Sequence, residues 1–197
     1  MRFLLTLYFL LSFSFLKSQN VDSLANIPSE LKETEIRIYK YRGIYNSGNV
    51  FRIYKDNKIW KAELIQWFLP KEIRKDEFEL IKPKITILKP QKSLEELFLN
   101  LRALNIEFLP KEEYFQYKKT SNKKVVFDED EKAFLIHQEL TSVLGTGYLV
   151  KYQSGKNRNE FDYSNPESYL KKYPGIDELI SFVDILKYIR KEFNIEF

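Results

Sequence analysis

The sequence predicts an α+β domain, an antiparallel, twisted β-sheet of roughly six to nine strands with a helix near 93–104 and a C-terminal helix near 176–193 packed against it. Three observations carry this. Apolar and polar residues alternate in "TEIRIYKY", "NVFRIYKDNKIWKAEL" and "GYLVKYQSGKNRNEFDY", the period of a strand with two unlike faces. In "SLEELFLNLRALN" the apolar residues instead recur every three or four positions. The same helical period returns from Ile176 to Phe193 over about five turns.

The chain opens with "MRFLLTLYFLLSFSFLKSQN". Arg2 is a positive flank and 3–15 an apolar run broken only by Thr6, Ser12 and Ser14. It is shorter than the about 20 apolar residues that cross a bilayer and has the layout of a secretory signal peptide over 1–19. Its removal takes Arg2 and Lys17 and no acid, so the formal charge of +4 becomes +2. Near-balanced, interleaved charge gives no footprint for nucleic acid. There is no cysteine, which excludes disulfides and a lipid anchored through an N-terminal Cys. The 178 residues that remain from 197 after removal of 19 are enough for one domain with its own core.

Residues 20–33 form a polar, Pro-containing approach, and a single domain follows over 34–197. In the first strand Ile36 and Ile38 point one way and Glu35, Arg37 and Tyr39 the other, as in a strand buried on one side. Asp56-Asn57 lies between two alternating runs, and Asx residues tolerate positive φ, so a hairpin is predicted there, with Trp60, Ala62 and Leu64 sharing a face of its second strand. In "DEFELIKPKITILKP" Pro83 has no N–H and restricts the segment to an edge strand or two short pieces. The mid-chain helix starts at Ser93 as N-cap, with Glu96 three residues on. "FLPKE" occurs at 68–72 and 108–112 with unrelated flanks and is not a structural repeat.

"EEYFQYKK" suits a strand, and the basic "KKTSNKK" a solvated loop. "DEDEKAFLIHQELTSVLG" fits a helix with acids in its first turn, or a turn followed by strands. A hairpin turning at 154–157 leads into "YSNPESYLKKYPGID". There Asn165 and Pro166 suit the start of a short helix, Pro174-Gly175 its end, and Ile176 the beginning of the last helix. The stripe of that helix is Ile176, Leu179, Ile180, Val183, Leu186, Ile189 and Phe193, with acids in the first turn and Arg190 and Lys191 near the last.

Several of these blocks, "EIRIYKYRGI", "FRIYKDNKIWKAEL", "GTGYLVKY", "YSNPESYLKKYP" and "IDELISFVDILKYIRKEF", resemble a group of small exported proteins of Bacteroidota-type bacteria that carry no assigned activity. The resemblance runs over most of the chain after the leader and is most specific in its C-terminal block. It implies export and a strand over 132–140, departs from the group at the acidic "DEDE", and transfers no functional residue.

The search for chemistry narrows the function classes. With no Cys and His137 as the single imidazole, a zinc site of three or four N/S ligands cannot be built. The acids 128–131 lack the spacing of a calcium loop. His137 would be the sole general base of a Ser-His-acid site, yet no Gly-x-Ser-x-Gly elbow accompanies it, and "GTGY" is too short to cradle phosphate. No metal and no cofactor is therefore expected. Paired carboxylates among the 28 acids stay possible as an enzymatic option, since a glycosidase pair needs only about 5–10 Å of separation.

Aromatic residues make up 16 % of the chain, and on an open sheet face Tyr and Trp stack on sugars or anchor proteins. The first hairpin concentrates Tyr39, Tyr41, Tyr45, Tyr54 and Trp60, which are the candidate binding residues. The expectation is a non-enzymatic exported module, in the periplasm or at the cell surface, that binds an unknown protein or glycan of the envelope, with no nucleic-acid partner and no transmembrane span once the leader is removed. A carboxylate-based hydrolase of envelope glycans and an inhibitor or immunity-type protein are the alternatives.

Overall fold

The computed structural model describes residues 21–42, 46–139 and 145–197; the predicted leader lies outside them. An antiparallel sheet organises the chain, as the alternation predicts. Its strands are β1 (Thr34–Arg42), β2 (Ser47–Asp56), β3 (Ile59–Phe68), β6 (Lys84–Ile87), β9 (Thr146–Ser154) and β10 (Asn157–Ser164), in the spatial order β10-β9-β1-β2-β3-β6. Two further hairpins stand outside it, β4 (Lys71–Arg74) with β5 (Glu77–Glu79), and β7 (Thr120–Phe127) with β8 (Ala133–Glu139). The helices are α1 (Val21–Leu24), α2 (Leu94–Ala103), α3 (Pro166–Lys172) and α4 (Asp177–Phe193).

Local chemistry fixes the turns. Between β2 and β3 the central residues Asn57 and Lys58 have φ of 49° and 69°, the two positive values of a type I′ turn. Between β9 and β10 the positive φ falls on Gly155, where the missing Cβ removes the steric cost. Ser93 caps α2 by accepting a hydrogen bond from the Glu96 amide. Asn165 does open α3, but in the left-handed conformation; its side chain accepts from the Thr146 amide and so ties the helix entrance to the start of β9. β6 follows Pro83 directly and is an outer strand, where a residue without N–H is tolerated.

The main core lies on one face of the sheet. Ile36, Ile38, Phe51, Ile53, Ala62, Tyr148, Val150, Tyr152, Phe161 and Tyr163 meet α2 and α4 there. α4 buries Leu179, Phe182, Val183, Ile185, Leu186 and Ile189. The predicted stripe is thus rotated: Phe182 and Ile185 belong to it, while Ile180 sits at its margin, 36 % exposed. Phe182 packs edge-on against Tyr148, Phe161 and Tyr163, with ring centroids 4.9–5.7 Å apart, a geometry that adds to burial.

Three local expectations change. "EEYFQYKK" is not a strand but two 3-10 turns, because Phe115 and Lys119 must both turn inward, Phe115 onto Tyr163 and Lys119 over the Tyr169 ring at 4.3 Å. "KKTSNKK" is not a free loop: Lys118 pairs with Glu178 at 2.7 Å, Lys119 is buried against Glu112, and Thr120 begins β7. The alternatives for 128–144 resolve to a turn and a strand up to Glu139; 140–144 lie outside the described residues.

Replacing Phe182 with Ala removes the ring that three aromatic partners contact and lowers stability by about 3–5 kcal/mol. Ile180→Ala costs clearly less. Urea titration of both variants checks the difference, and equal losses would place the helix in another rotation.

Candidate functional site

The opposite face of the sheet is also closed, which the approach segment brings about. Strand alternation puts Glu35, Arg37, Tyr39 and Tyr41 of β1 on this face. Pairing sets Arg37 beside Arg52 and Lys151, Tyr39 beside Val50 and Leu149, and Arg52 beside Glu63. Glu35 accepts from Arg37 Nε at 2.9 Å and from Arg52 Nε at 2.7 Å; Arg52 reaches Glu63 at 3.4 Å, and Arg37 reaches Asp22 of α1 at 3.1 Å. Lys151 approaches Asp22 at 3.9 Å. Three acids thus meet three cations, so the cluster is neutral as a whole.

Residues 21–32 lie over this cluster as a strap. Arg37 donates to the carbonyls of Pro28 and Glu30 as well as to Asp22, and the Lys32 amide donates to Glu35. Beside the ions, Ala25 is buried with Tyr39, Val50, Ile65 and Trp67, and Val21, Leu24 and Ile27 pack on them. The polar approach of the sequence is therefore a second small core laid across the sheet. Arg37 and Glu35 are fully buried, and buried charge is tolerated only with every partner in place.

Burial raises the Glu35 carboxyl, but hydrogen bonds from Arg52 and Arg37 outweigh it and hold the group below the ordinary carboxylate range. Glu35 is hence an anion at neutral pH, suited to holding arginines and unsuited to donating a proton. Tyr39 is raised by burial and by the hydrogen bond it donates to Asp22. Tyr54 is pushed up to about 12 by burial and by its hydrogen bond to Glu63. Its ring lies 4.3 Å from the Arg52 guanidinium carbon.

The candidate aromatics divide accordingly. Tyr39 and Tyr54 are buried parts of the ion cluster. Trp60 lies on the other face, its ring 5.0 Å from Phe98 of α2. Tyr45 lies outside the described residues. Tyr41 alone of the described four is presented to solvent, 41 % exposed. It covers Gly147, where a Cβ would come within 2.3 Å of its ring, as Trp67 covers Gly48. A polar cleft of about 500 Å³ opens where the strap leaves the sheet, lined by Glu30, Lys151, Gln153, Arg158 and Glu160 among others.

An uncovered apolar surface lies elsewhere. In the β7–β8 hairpin Val125 pairs with Leu135, Val126 with Phe134, and Phe127 with Ala133. Val125, Phe127, Phe134, Leu135 and Ile136 are 37–69 % exposed. Consecutive apolar residues on both strands make both faces apolar, the one signal by which the sequence could have singled them out. The acidic tip is organised by Asp128, whose Oδ1 accepts from the amides of Asp130 and Lys132. A second exposed apolar strip lies on β6, where Ile85 and Ile87 stand beside Ile65 and Glu63. Among the described residues no helix is long and apolar enough to cross a membrane.

Glu35→Gln leaves two buried guanidinium groups undercompensated and lowers stability by about 3–5 kcal/mol. Since the folded-state value of Glu35 is depressed, its contribution is present above the ordinary value of 4.5 and is lost as pH falls through the lower folded value. Denaturant titrations from neutral to acid pH should show a shallower acid decline in the variant; parallel curves would contradict this. Comparison with protein-family models, curated proteins and solved structures finds no match to the chain.

Proposed function

We propose that the chain is an exported, non-enzymatic binding module that engages a protein of the cell envelope, in the periplasm or at the cell surface, through its β7–β8 hairpin. The observation that carries this is the exposure of five large apolar side chains on a two-stranded hairpin. Such a ribbon is marginal in water on its own, and contiguous apolar surface of this kind marks interaction sites. Large, flat apolar side chains on a strand favour a protein over a glycan, which offers more hydroxyls than apolar area. The leader-like 1–19 segment and the resemblance to small exported proteins support export. The most deeply buried acids, Glu35 and Asp22, are engaged by arginine, which favours a structural role for them over hydrolysis.

Affinity capture of envelope proteins with the purified chain tests the proposal, run beside a variant carrying Val125→Thr, Phe127→Thr and Leu135→Thr. Threonine keeps strand propensity while removing apolar contact worth about 1.5 kcal/mol or more per residue, so binding of a captured protein should weaken about tenfold per residue with little change in melting temperature. Equal capture by both chains, or capture of glycan alone, would overturn it.

A further inference from the structure

The hairpin has a complement on the same molecule. β6 is an outer strand of the main sheet, with one side of its backbone ladder unpaired and Ile85 and Ile87 exposed on one face. Around it, "LIKPKITILKPQK" at 80–92 contains Lys82, Lys84, Lys89 and Lys92 and no acid. Among the described residues Lys82, Lys84 and Lys89 have no ion-pair partner. The tip of the hairpin offers the reverse: Phe134 and Ile136 stand two residues apart on one face of β8, next to the exposed acids 128–131, while Lys123 and Lys124 lie farther from the tip on β7.

Within one molecule the two surfaces are rooted at opposite edges of the sheet. The hairpin is rooted beside β10, since the segment leading to it packs there: Phe115 against Tyr163, Asn159 donating to the Ile106 and Leu109 carbonyls, and Ser164 donating to Glu112. β10 and β6 are the opposite edges of a six-stranded sheet, five strand spacings or about 24 Å apart. Pairing of β6 with β6, or tip with tip, would oppose like charges. Pairing of a hairpin with the β6 of another copy satisfies charge, apolar spacing and open backbone together.

We infer that this partner is a second copy of the chain, its β6 edge receiving the β7–β8 hairpin by strand addition. The contact is heterologous, with donor and acceptor at opposite edges, so each bound copy presents a fresh surface of both kinds and assembly runs head to tail. The lysines and prolines bounding β6 restrict indiscriminate edge pairing and select a donor hairpin with an acidic tip. This inference rests on the hairpin being a binding element, as proposed above, and commits it to one occupant.

The test uses sedimentation velocity on three full-length proteins: the wild type, an edge variant (Lys82→Glu, Lys84→Glu, Lys89→Glu) and a tip variant (Glu129→Lys, Asp130→Lys, Glu131→Lys) that spares Asp128 and its turn. The wild type should grow beyond the monomer as concentration rises and lose that growth as salt is added. Each variant should be monomeric with an unchanged circular-dichroism spectrum. The equimolar mixture of the two should associate again, because an acidic edge then meets a basic tip. A wild type that stays monomeric, association unaffected by either reversal, or a mixture that fails to associate each overturns the inference. A monomeric wild type that still captures an envelope protein through its hairpin sinks self-assembly alone and leaves the binding module standing.

Discussion

The carboxylate of Glu35, held between Arg37 and Arg52, is the constraint on which the arrangement of the molecule turns. It joins β1 to β2, and through Arg52 to Glu63 it reaches β3. Strand pairing alone does not choose a register. A slip of one residue would carry Arg37 to the face of Ile36 and Ile38, among the rings and aliphatic side chains under α4. The ion cluster therefore acts as a key for register across the middle of the sheet. Its net stabilisation is small, because the attraction of paired ions is largely cancelled by their desolvation. What it imposes is the high cost of any arrangement that leaves one member alone.

The same cluster explains why a segment of little regular structure is part of the fold. Asp22, the Pro28 and Glu30 carbonyls and the Lys32 amide supply acceptors and a donor that the sheet lacks, and Ala25 with its apolar neighbours shields them from water. Both faces of the central strands are thereby closed. The glycines Gly48 and Gly147 continue this logic at the far end of the face, where Trp67 and Tyr41 lie flat against backbone that a Cβ would obstruct. Among the described residues, β6 and the two small hairpins carry clusters of exposed apolar side chains, and others such as Leu99 and Phe108 lie outside them.

Much of this was legible in the sequence. Ser93 with Glu96 and the Asp56-Asn57 turn act through neighbours a few residues away and specify a helix start and a turn as predicted, while Asn165-Pro166 open α3 with the Asn165 side chain turned to the distant Thr146 amide. Alternation placed Glu35, Arg37 and Tyr39 on one side and Trp60 with Ala62 on the other. It did not disclose that the charged side is buried, because a charged strand face reads identically whether water or a strap covers it. Val21, Leu24 and Ala25, spaced by three and four, were the faint sign of that cover. The 3-10 turns before β7 escaped for a similar reason, as Phe115 and Lys119 turn inward to rings distant in sequence. Of the candidate site, the aromatics of the first hairpin were conspicuous by composition, yet three of the described four serve packing or the ion cluster. The uncovered hairpin showed only as apolar residues in direct succession.

The picture is of a sheet closed on both faces by helices and strap, with a hairpin left uncovered at one edge. Native-state hydrogen exchange, resolved by residue, tests it most directly. The amides of Ala25 and Ile27, bonded to the Val21 and Asp22 carbonyls, should exchange with the slow kinetics of β1 and β2, while those of β7 and β8 exchange far faster. Strap amides that exchange as fast as the hairpin while β1 stays protected would show that the strap is not part of the core, and would contradict the account.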